Sequence, residues 1–411
     1  MAHPIHEANE FSPYGNLTRQ EFYLKHHILH QKGFMINRQK MKIYTQSWQP
    51  SDLSVKLKGL VGMIHGYSSK SSWLFELNAA VIVEKLEEKM AHPIHEANEF
   101  SPYGNLTRQE FYLKHHILHQ KGFMINRQKM KIYTQSWQPS DLSVKLKGLV
   151  GMIHGYSSES SWLFELNAVA IAKSGFFVCA LDLQGHGFSE GPRYHFTNFN
   201  DLVNDCLQYF DSARTSHPEL PHFLYGESLG SSMALLVCLQ QKTAWNGLIV
   251  SGVARGSWKK KFIPVWLLNK LIEAVVFFAP SWRVPFFRSP ASISYKEDWK
   301  RKLEERSPNR HTCGKLTAAV GLQFQKFTEY IERNCHGLTV PILILHGGDD
   351  MVCEVTGAKR LYNSVASKDK TLKIYEGMWH QFIGEPNETV EEVVNTILSW
   401  IEVRAEVTSA E

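Results

Sequence analysis

The stretch that most constrains this chain is Pro221–Gln240, PHFLYGESLGSSMALLVCLQ, in which an apolar strand-like run stops at Gly226 and a helix-like run begins just past Ser228. Between them lies the turn Gly226-Glu227-Ser228-Leu229-Gly230. A serine on so tight a strand-to-helix turn takes strained backbone torsions, and the flanking glycines let strand and helix cross without a Cβ clash. The turn therefore predicts a sheet backed by a helix, with a hydroxyl presented at the C-terminal edge of that sheet. The Leu229 amide, at the helix N-terminus, is placed to donate to a developing oxyanion. A chance match to such a five-residue pattern in about 400 positions is expected on the order of one time in ten, so context has to decide. Gly187-Phe188-Ser189-Glu190-Gly191 fits the pattern too, but no strand abuts it, Pro192 follows it and no helical run begins there. Ser228 is the candidate nucleophile, and Ser189 reads as a turn serine.

A serine hydroxyl is a poor nucleophile at neutral pH unless a base takes its proton and an acid orients the base. On a strand-turn-helix architecture the order Ser, then Asp or Glu, then His is expected. The chain holds 20 histidines, and only His380 follows the acid candidates. Those acids stand in His346-Gly347-Gly348-Asp349-Asp350-Met351-Val352, directly after the apolar run Ile342–Leu345. Spacing prefers Asp350 and leaves Asp349 open, the other aspartate being a solvated loop residue or a helix cap. His380, in Glu376-Gly377-Met378-Trp379-His380, is the candidate base, against the plainer reading of a loop histidine packed on Trp379. A second oxyanion donor is expected after the buried run Gly148–Ile153, in His154-Gly155-Tyr156, where the Tyr156 N–H is the natural group. His154 would then be structural. Asp182-Leu183-Gln184-Gly185-His186-Gly187-Phe188-Ser189 reads as a tight loop that shapes the site.

Composition narrows the function classes. With 43% hydrophobic and 21% charged residues over 411 positions, the chain buries an ample core and is no disordered protein. A net charge of +5 without basic clusters interleaved with stacking aromatics argues against a nucleic-acid partner. Cys179, Cys206, Cys238, Cys313, Cys335 and Cys353 are widely spaced and form no Cys-x-x-Cys pair, which favours free thiols in a reducing compartment. The first residues form no apolar signal core. The most apolar window, Phe262–Pro285, is interrupted by Asn269, Lys270, Glu273 and Pro280, too often for a membrane span. A cytoplasmic protein is expected.

Residues 1–79 recur at 90–168 with the single change of Lys70 to Glu159. A packed structural repeat constrains only its core pattern, so identity that extends to surface positions points instead to a duplicated 5′ coding segment or a misjoined gene model. The second copy runs on into a helix end, a Gly175 stop and the strand Phe176–Leu181, whereas the first runs into AVIVEKLEEK and Met90. Residues 90–411 are therefore read as the working unit. Residues 1–89 are an incomplete spare whose strands could find a place only at a sheet edge.

Within the working unit, Leu106–Ile117 predicts a helix, and Gly122–Ile125 with Met130–Trp137 an antiparallel pair across Asn126-Arg127-Gln128. Further strands are expected at Phe176–Leu181, His222–Tyr225, Leu248–Ser251, Ile342–Leu345 and Leu372–Tyr375, with Thr389–Val403 as a closing helix. Apolar strands interleaved with helices imply an α/β, doubly wound and mostly parallel sheet with ligands at the strand C-termini. The interval 254–340 carries no comparable strand and is rich in Trp, Phe and Lys, including Trp258-Lys259-Lys260-Lys261 and Ile263-Pro264-Val265-Trp266-Leu267-Leu268. It reads either as a cap that binds an acyl chain or meets a membrane surface, or as a helical excursion packed on the core.

The motifs HGY, D-x-x-GHG-x-S-x-G, GESLG, HG-x-x-D-x-V and GMWH stand in the order and spacing of α/β-hydrolases, and Leu106–Ala405 resembles the monoacylglycerol lipase-like group. Within that group the resemblance is to the plant caffeoylshikimate esterase branch. It implies Ser228, Asp350 and His380 as the triad, Tyr156 and Leu229 as the oxyanion positions, an ester as substrate, and no metal or organic cofactor. The duplicated N-terminus is foreign to the family, and Val253-Ala254-Arg255-Gly256-Ser257-Trp258 departs from the small apolar sequence usual at the cap entrance. A monoacylglycerol, a lysophospholipid and a hydroxycinnamoyl ester all suit this reading. A ligand-sensing hydrolase-fold protein with little turnover and a proline-iminopeptidase-type peptidase are the other classes consistent with the motifs.

Overall fold

A computed structural model of the chain describes residues 16–25, 28–36, 42–50, 91–253, 265–283, 290–309 and 316–408. The chain divides into two compact units, Met1–Ala91 and His92–Glu411. In the first, helix α1 (Arg19–Lys25) precedes strands β1 (Ile28–Ile36) and β2 (Lys42–Pro50). These two pair antiparallel from Ile28 opposite Pro50 to Ile36 opposite Lys42 and form a two-stranded sheet of their own. His65-Gly66-Tyr67, Lys70, the run 254–264 and Cys313 lie outside the described residues.

In the second unit, helix α2 (Arg108–Lys114) opens on a capping box. Thr107 Oγ1 accepts from Glu110 N at 3.2 Å, and Glu110 Oε2 accepts from Thr107 N at 2.8 Å, which satisfies amides the helix cannot. The helix is shorter than expected. Its apolar spacing continues past Lys114, but His116 has φ 53° and turns the chain straight into strand β3 (Ile117–Ile125). β3 pairs antiparallel with β4 (Lys131–Pro139), so both strands exceed the expected pair. His119-Gln120-Lys121 hid the start of β3, because an edge strand tolerates polar side chains that an inner strand does not.

The chain then alternates: β5 (Leu149–Ile153), α3 (Trp162–Lys173), β6 (Phe177–Leu181), α4 (Phe199–Ser216), β7 (His222–Glu227), α5 (Leu229–Gln240), β8 (Gly247–Ser251). After a helical interval come β9 (Ile342–Gly347), α10 (Val355–Ser364), β10 (Lys370–Tyr375) and α11 (Asn387–Thr408), with α6 to α9 named below. The eight strands lie in the order β10-β9-β8-β7-β5-β6-β4-β3. Pairing is parallel from β10 to β6 and antiparallel at β6–β4 and β4–β3, the doubly wound sheet that was expected. From β5 the chain passes to β6 on one side and returns to β7 on the other, so the loops after β5 and β7 part at the point where such sheets bind ligands.

Alternation along the strands divides the core into two layers. Phe223, Tyr225, Ile249 and Leu343 pack towards α3 and α11. Leu224, Leu248, Ile342 and Ile344 pack towards α4, α5 and α10. α5 is buried all round from Leu229 to Cys238, as a central helix without a polar face must be.

Between β8 and β9 lie α6 (Val265–Phe278), α7 (Pro290–Ser294), α8 (Asp298–Glu305) and α9 (Ala318–Asn334). Both readings of this interval find support. Val320, Phe327 and Ile331 of α9 join the core, while Phe277 and Phe278 at the end of α6 are 80% and 83% exposed. No helix among the described residues is long and apolar enough to cross a membrane.

Candidate active site

The turn after β7 has the geometry its glycines foretell. Ser228 sits at φ 54°, ψ −116°, a conformation an L-residue holds only when its surroundings enforce it. A Cβ on Gly226 would lie 2.3 Å from Gly230 O, and one on Gly230 would lie 2.0 Å from Ile153 O, so strand and helix cross at backbone contact. Ser228 N donates to Ser251 O at 2.8 Å, and Ser231 Oγ lies 2.7 Å from both Gly226 O and Ser251 O, which pins the turn to β8. Ser228 serves as the N-cap of α5, so Leu229 heads a helix whose first amides have no intrahelical acceptor.

His380 Nε2 lies 2.8 Å from Ser228 Oγ, and His380 Nδ1 lies 2.7 Å from Asp350 Oδ2. Both partners come from loops at strand C-termini, Asp350 after β9 and His380 after β10. Gly347 lets those loops approach, since a Cβ there would meet Trp379 O at 2.2 Å. Gly252, just beyond β8, backs the imidazole, with its Cβ position 2.9 Å from His380 Cε1. Val352 N and Cys353 N donate to Asp350 Oδ1, each at 2.8 Å. Burial would raise the Asp350 carboxyl, but the charge and hydrogen bond of His380 and the Cys353 amide outweigh it and hold the acid below its ordinary value. Asp350 is therefore a carboxylate with both oxygens engaged. Of the two aspartates left open by spacing, Asp350 is the one facing the histidine.

The loop after β5 lies against the nucleophile, the Cβ position of Gly155 being 3.3 Å from Ser228 Cβ. Tyr156 follows, its hydroxyl donating to Tyr194 O at 2.9 Å. His154 is fully buried and neutral, driven down to about 4 by burial, and its Nε2 accepts from Leu183 N at 3.0 Å. Asp182 ties the same loop to the one after β6. Its Oδ1 accepts from Ser160 N and Oγ at 2.7 and 2.6 Å, and its Oδ2 accepts from Phe188 N at 2.8 Å. Ser189 donates to Asp182 O at 2.6 Å and accepts from Tyr133 N at 2.8 Å, so it is built into the loop, away from the histidine line.

Several groups near the site escaped sequence reasoning. Glu385 Oε1 accepts from Trp379 N at 2.7 Å, fixing the residue before His380. Buried Lys300 of α8 donates to Glu385 O, and burial lowers its ammonium to about 8. Glu227 Oε1 accepts from Tyr225 OH and from Asn167 Nδ2, the latter at 3.2 Å. Glu159 accepts from Ser307 Oγ and from Asn309 Nδ2, the latter at 2.7 Å. Its contrast with Lys70 was the one signal in the sequence for any of these. Asp350, Cys353 and His380 each offer a metal-ligating atom within 4.8 Å of the others. A cation there would have to part His380 from Asp350, and burial holds the Cys353 thiol well above its ordinary value, so these atoms suit a hydrogen-bonded line better than a metal site.

Comparison with known proteins identifies relatives of the chain as a whole. Residues 144–387 match the family model described as serine aminopeptidase, S33. Caffeoylshikimate esterase of Arabidopsis thaliana is 32% identical over 307 residues, which is 73% of this chain and 90% of that protein. Monoglyceride lipase of Mus musculus is 29% identical over 282 residues, 68% of this chain and 90% of that one. Among solved structures, the monoacylglycerol lipase of Paleococcus ferrophilus aligns with a TM-score of 0.55 at 23% identity, over 67% of this chain and 100% of its own, and so shares the fold.

Proposed function

The chain belongs to the monoglyceride lipase-like α/β-hydrolases and is a carboxylic ester hydrolase, and from that premise we propose that it works through an acyl-enzyme on Ser228. The observation that carries this reading is the unbroken line from Asp350 through His380 to Ser228 Oγ, with steps of 2.7 and 2.8 Å. His380 Nε2 takes the hydroxyl proton as Ser228 Oγ bonds to the ester carbonyl carbon, and returns it to the alkoxy oxygen as the bond between that oxygen and the carbonyl carbon breaks, leaving the acyl group on Ser228. Water then repeats the cycle on the acyl-enzyme, releasing the acid and restoring the serine. Asp350 holds the imidazole with Nδ1–H turned towards it, so that Nε2 is free to accept. The amides of Leu229 and Tyr156 are the oxyanion donors in this scheme.

For substrate, the reading is an ester with one apolar arm: a monoacylglycerol, a lysophospholipid or a hydroxycinnamoyl ester. Two relatives are named for monoglycerides and caffeoylshikimate, and Val275, Phe277, Phe278 and Trp282 present exposed apolar surface along the cap, which favours a substrate met at a lipid surface. The free, buried thiols of Cys179, Cys206, Cys238, Cys335 and Cys353 fit a cytoplasmic protein that touches membranes peripherally. Residues 90–411 are the working hydrolase and 1–89 the incomplete duplicate in this scheme. Hydrolysis of those three ester classes, each with and without anionic vesicles, tests the reading; long-chain monoacylglycerol turned over fastest and stimulated by vesicles is the expected result. The description of the matching family favours a second reading, an aminopeptidase, and faster cleavage of a prolyl-amide than of every ester in the panel would replace the first with it.

A further inference from the structure

Helix α8 touches both loops that serve Ser228. At its start, Glu297 N donates to Gly384 O at 2.9 Å and Lys300 donates to Glu385 O, the residue whose side chain fixes the Trp379 amide beside His380. At its end, Trp162 Nε1 donates to Leu303 O at 2.8 Å, and the chain leaving α8 places Ser307 and Asn309 on the carboxyl of Glu159. Glu159 is 5% exposed and stands three residues beyond Tyr156, in the loop that carries the second oxyanion amide. The opposite side of that loop is already bound by Asp182 through Ser160.

We propose that Glu159 is a positioning residue: its carboxyl latches the chain after α8 to the loop after β5, and so holds the Tyr156 amide at the carbonyl oxygen of the reacting ester. The inference rests on the assignment of Tyr156 and Leu229 to the oxyanion hole. An acceptor is required at position 159, because both partners approach with donors, Ser307 Oγ–H and Asn309 Nδ2–H. Burial and the nearby Asp182 carboxylate raise the Glu159 carboxyl, and its protonated form still accepts on one oxygen while donating from the other. The duplicate carries Lys70 at the equivalent place, and an ammonium has three donors and no acceptor. The single difference between the copies thus falls on the group the latch needs, so the first copy could not serve in place of the second.

The test uses the full chain, a p-nitrophenyl butyrate assay, and inhibition by an alkyl trifluoromethyl ketone, whose alkoxide adduct occupies the oxyanion hole. An oxyanion donor displaced by a fraction of an ångström weakens transition-state binding and spares ground-state binding. Glu159→Ala and Glu159→Lys should each lower kcat about tenfold, raise the inhibitor Ki by a similar factor, and leave KM within about twofold. Glu159→Gln should stay within about twofold of the wild type on all three measures, since its Oε1 still accepts from Asn309 while its Nε2 donates to a reoriented Ser307 hydroxyl. If Glu159→Ala does not fold, Ser307→Ala/Asn309→Ala removes the same bonds from the other side and carries the same expectation. Unchanged kcat, a change in KM alone, or a Gln variant as damaged as the Ala variant would each overturn the latch. Labelling of the wild type by a fluorophosphonate separates the two levels of the argument. A chain not labelled at Ser228 overturns the catalytic reading and the latch together, whereas a labelled chain with an unmoved Glu159→Ala overturns the latch alone.

Discussion

Glu227, the residue before the nucleophile, offers a measurable cost of building this site. Its side chain is 3% exposed, and burial pushes its carboxyl up from 4.5 to about 7, against the lowering effect of the Tyr225 hydrogen bond and the His380 charge. Between those two values the folded chain keeps a proton that the unfolded chain has released, so stability falls as pH rises through the window. A carboxyl carried from 4.5 to about 7 represents about 3 kcal/mol of folding free energy, present below pH 4.5 and gone by about pH 7. Glu227→Gln keeps an acceptor for Tyr225 OH and Asn167 Nδ2 and has nothing to titrate. Wild type and variant should therefore melt close together at pH 4.5, and the variant should gain on the wild type as pH rises to 8. For about 320 residues the gain is on the order of 4 °C in Tm. Calorimetry at a series of pH values measures it. A gap that stays constant across the series, or a variant that falls further behind the wild type above pH 7, would refute the account of Glu227 as a carboxyl held protonated by burial.

The order of damage along the hydrogen-bonded line is a second expectation: steady-state assays of His380→Ala should show kcat reduced by about 10⁶, near the effect of removing the serine, with Asp350→Asn retaining more at about 10⁴ below wild type. Gly230→Ala should cost at least about 3 kcal/mol in urea unfolding, because its Cβ meets the fixed carbonyl of Ile153 at 2.0 Å, and a near-neutral result would contradict the close crossing of β5 and α5. Deleting residues 1–89 should leave kcat within about twofold and keep or raise the soluble yield. A truncated protein that unfolds would show that the first copy is part of the working fold.

Much of this architecture was legible because inner parallel strands are unbroken apolar runs ending in glycine-rich loops, and those loops carry the chemistry. Val150, Leu224, Ile249 and Leu343 announce their strands, and the turn around Ser228 announces its helix. Periodicity failed at β3, an edge strand with His119-Gln120-Lys121 in its middle, and at α2, which His116 ends although the apolar spacing runs on. The supporting shell was illegible for a different reason. Glu159 meets Ser307 and Asn309 about 150 positions away, and Glu227 meets Asn167 of α3, 60 positions away, so no local pattern marks them. Lys300 shows the same limit more sharply. A lysine on a charged helix reads as solvated, yet it is fully buried against the loop of His380.

A covalent acyl group on Ser228 is tested directly by rapid mixing with p-nitrophenyl butyrate followed by intact-mass measurement and peptide mapping. The expected result is a burst approaching one p-nitrophenol per chain, a butyryl adduct on the peptide containing Ser228, and neither burst nor adduct in Ser228→Ala at unchanged fold. An adduct on another residue, such as Ser189, or undiminished turnover in Ser228→Ala would contradict it.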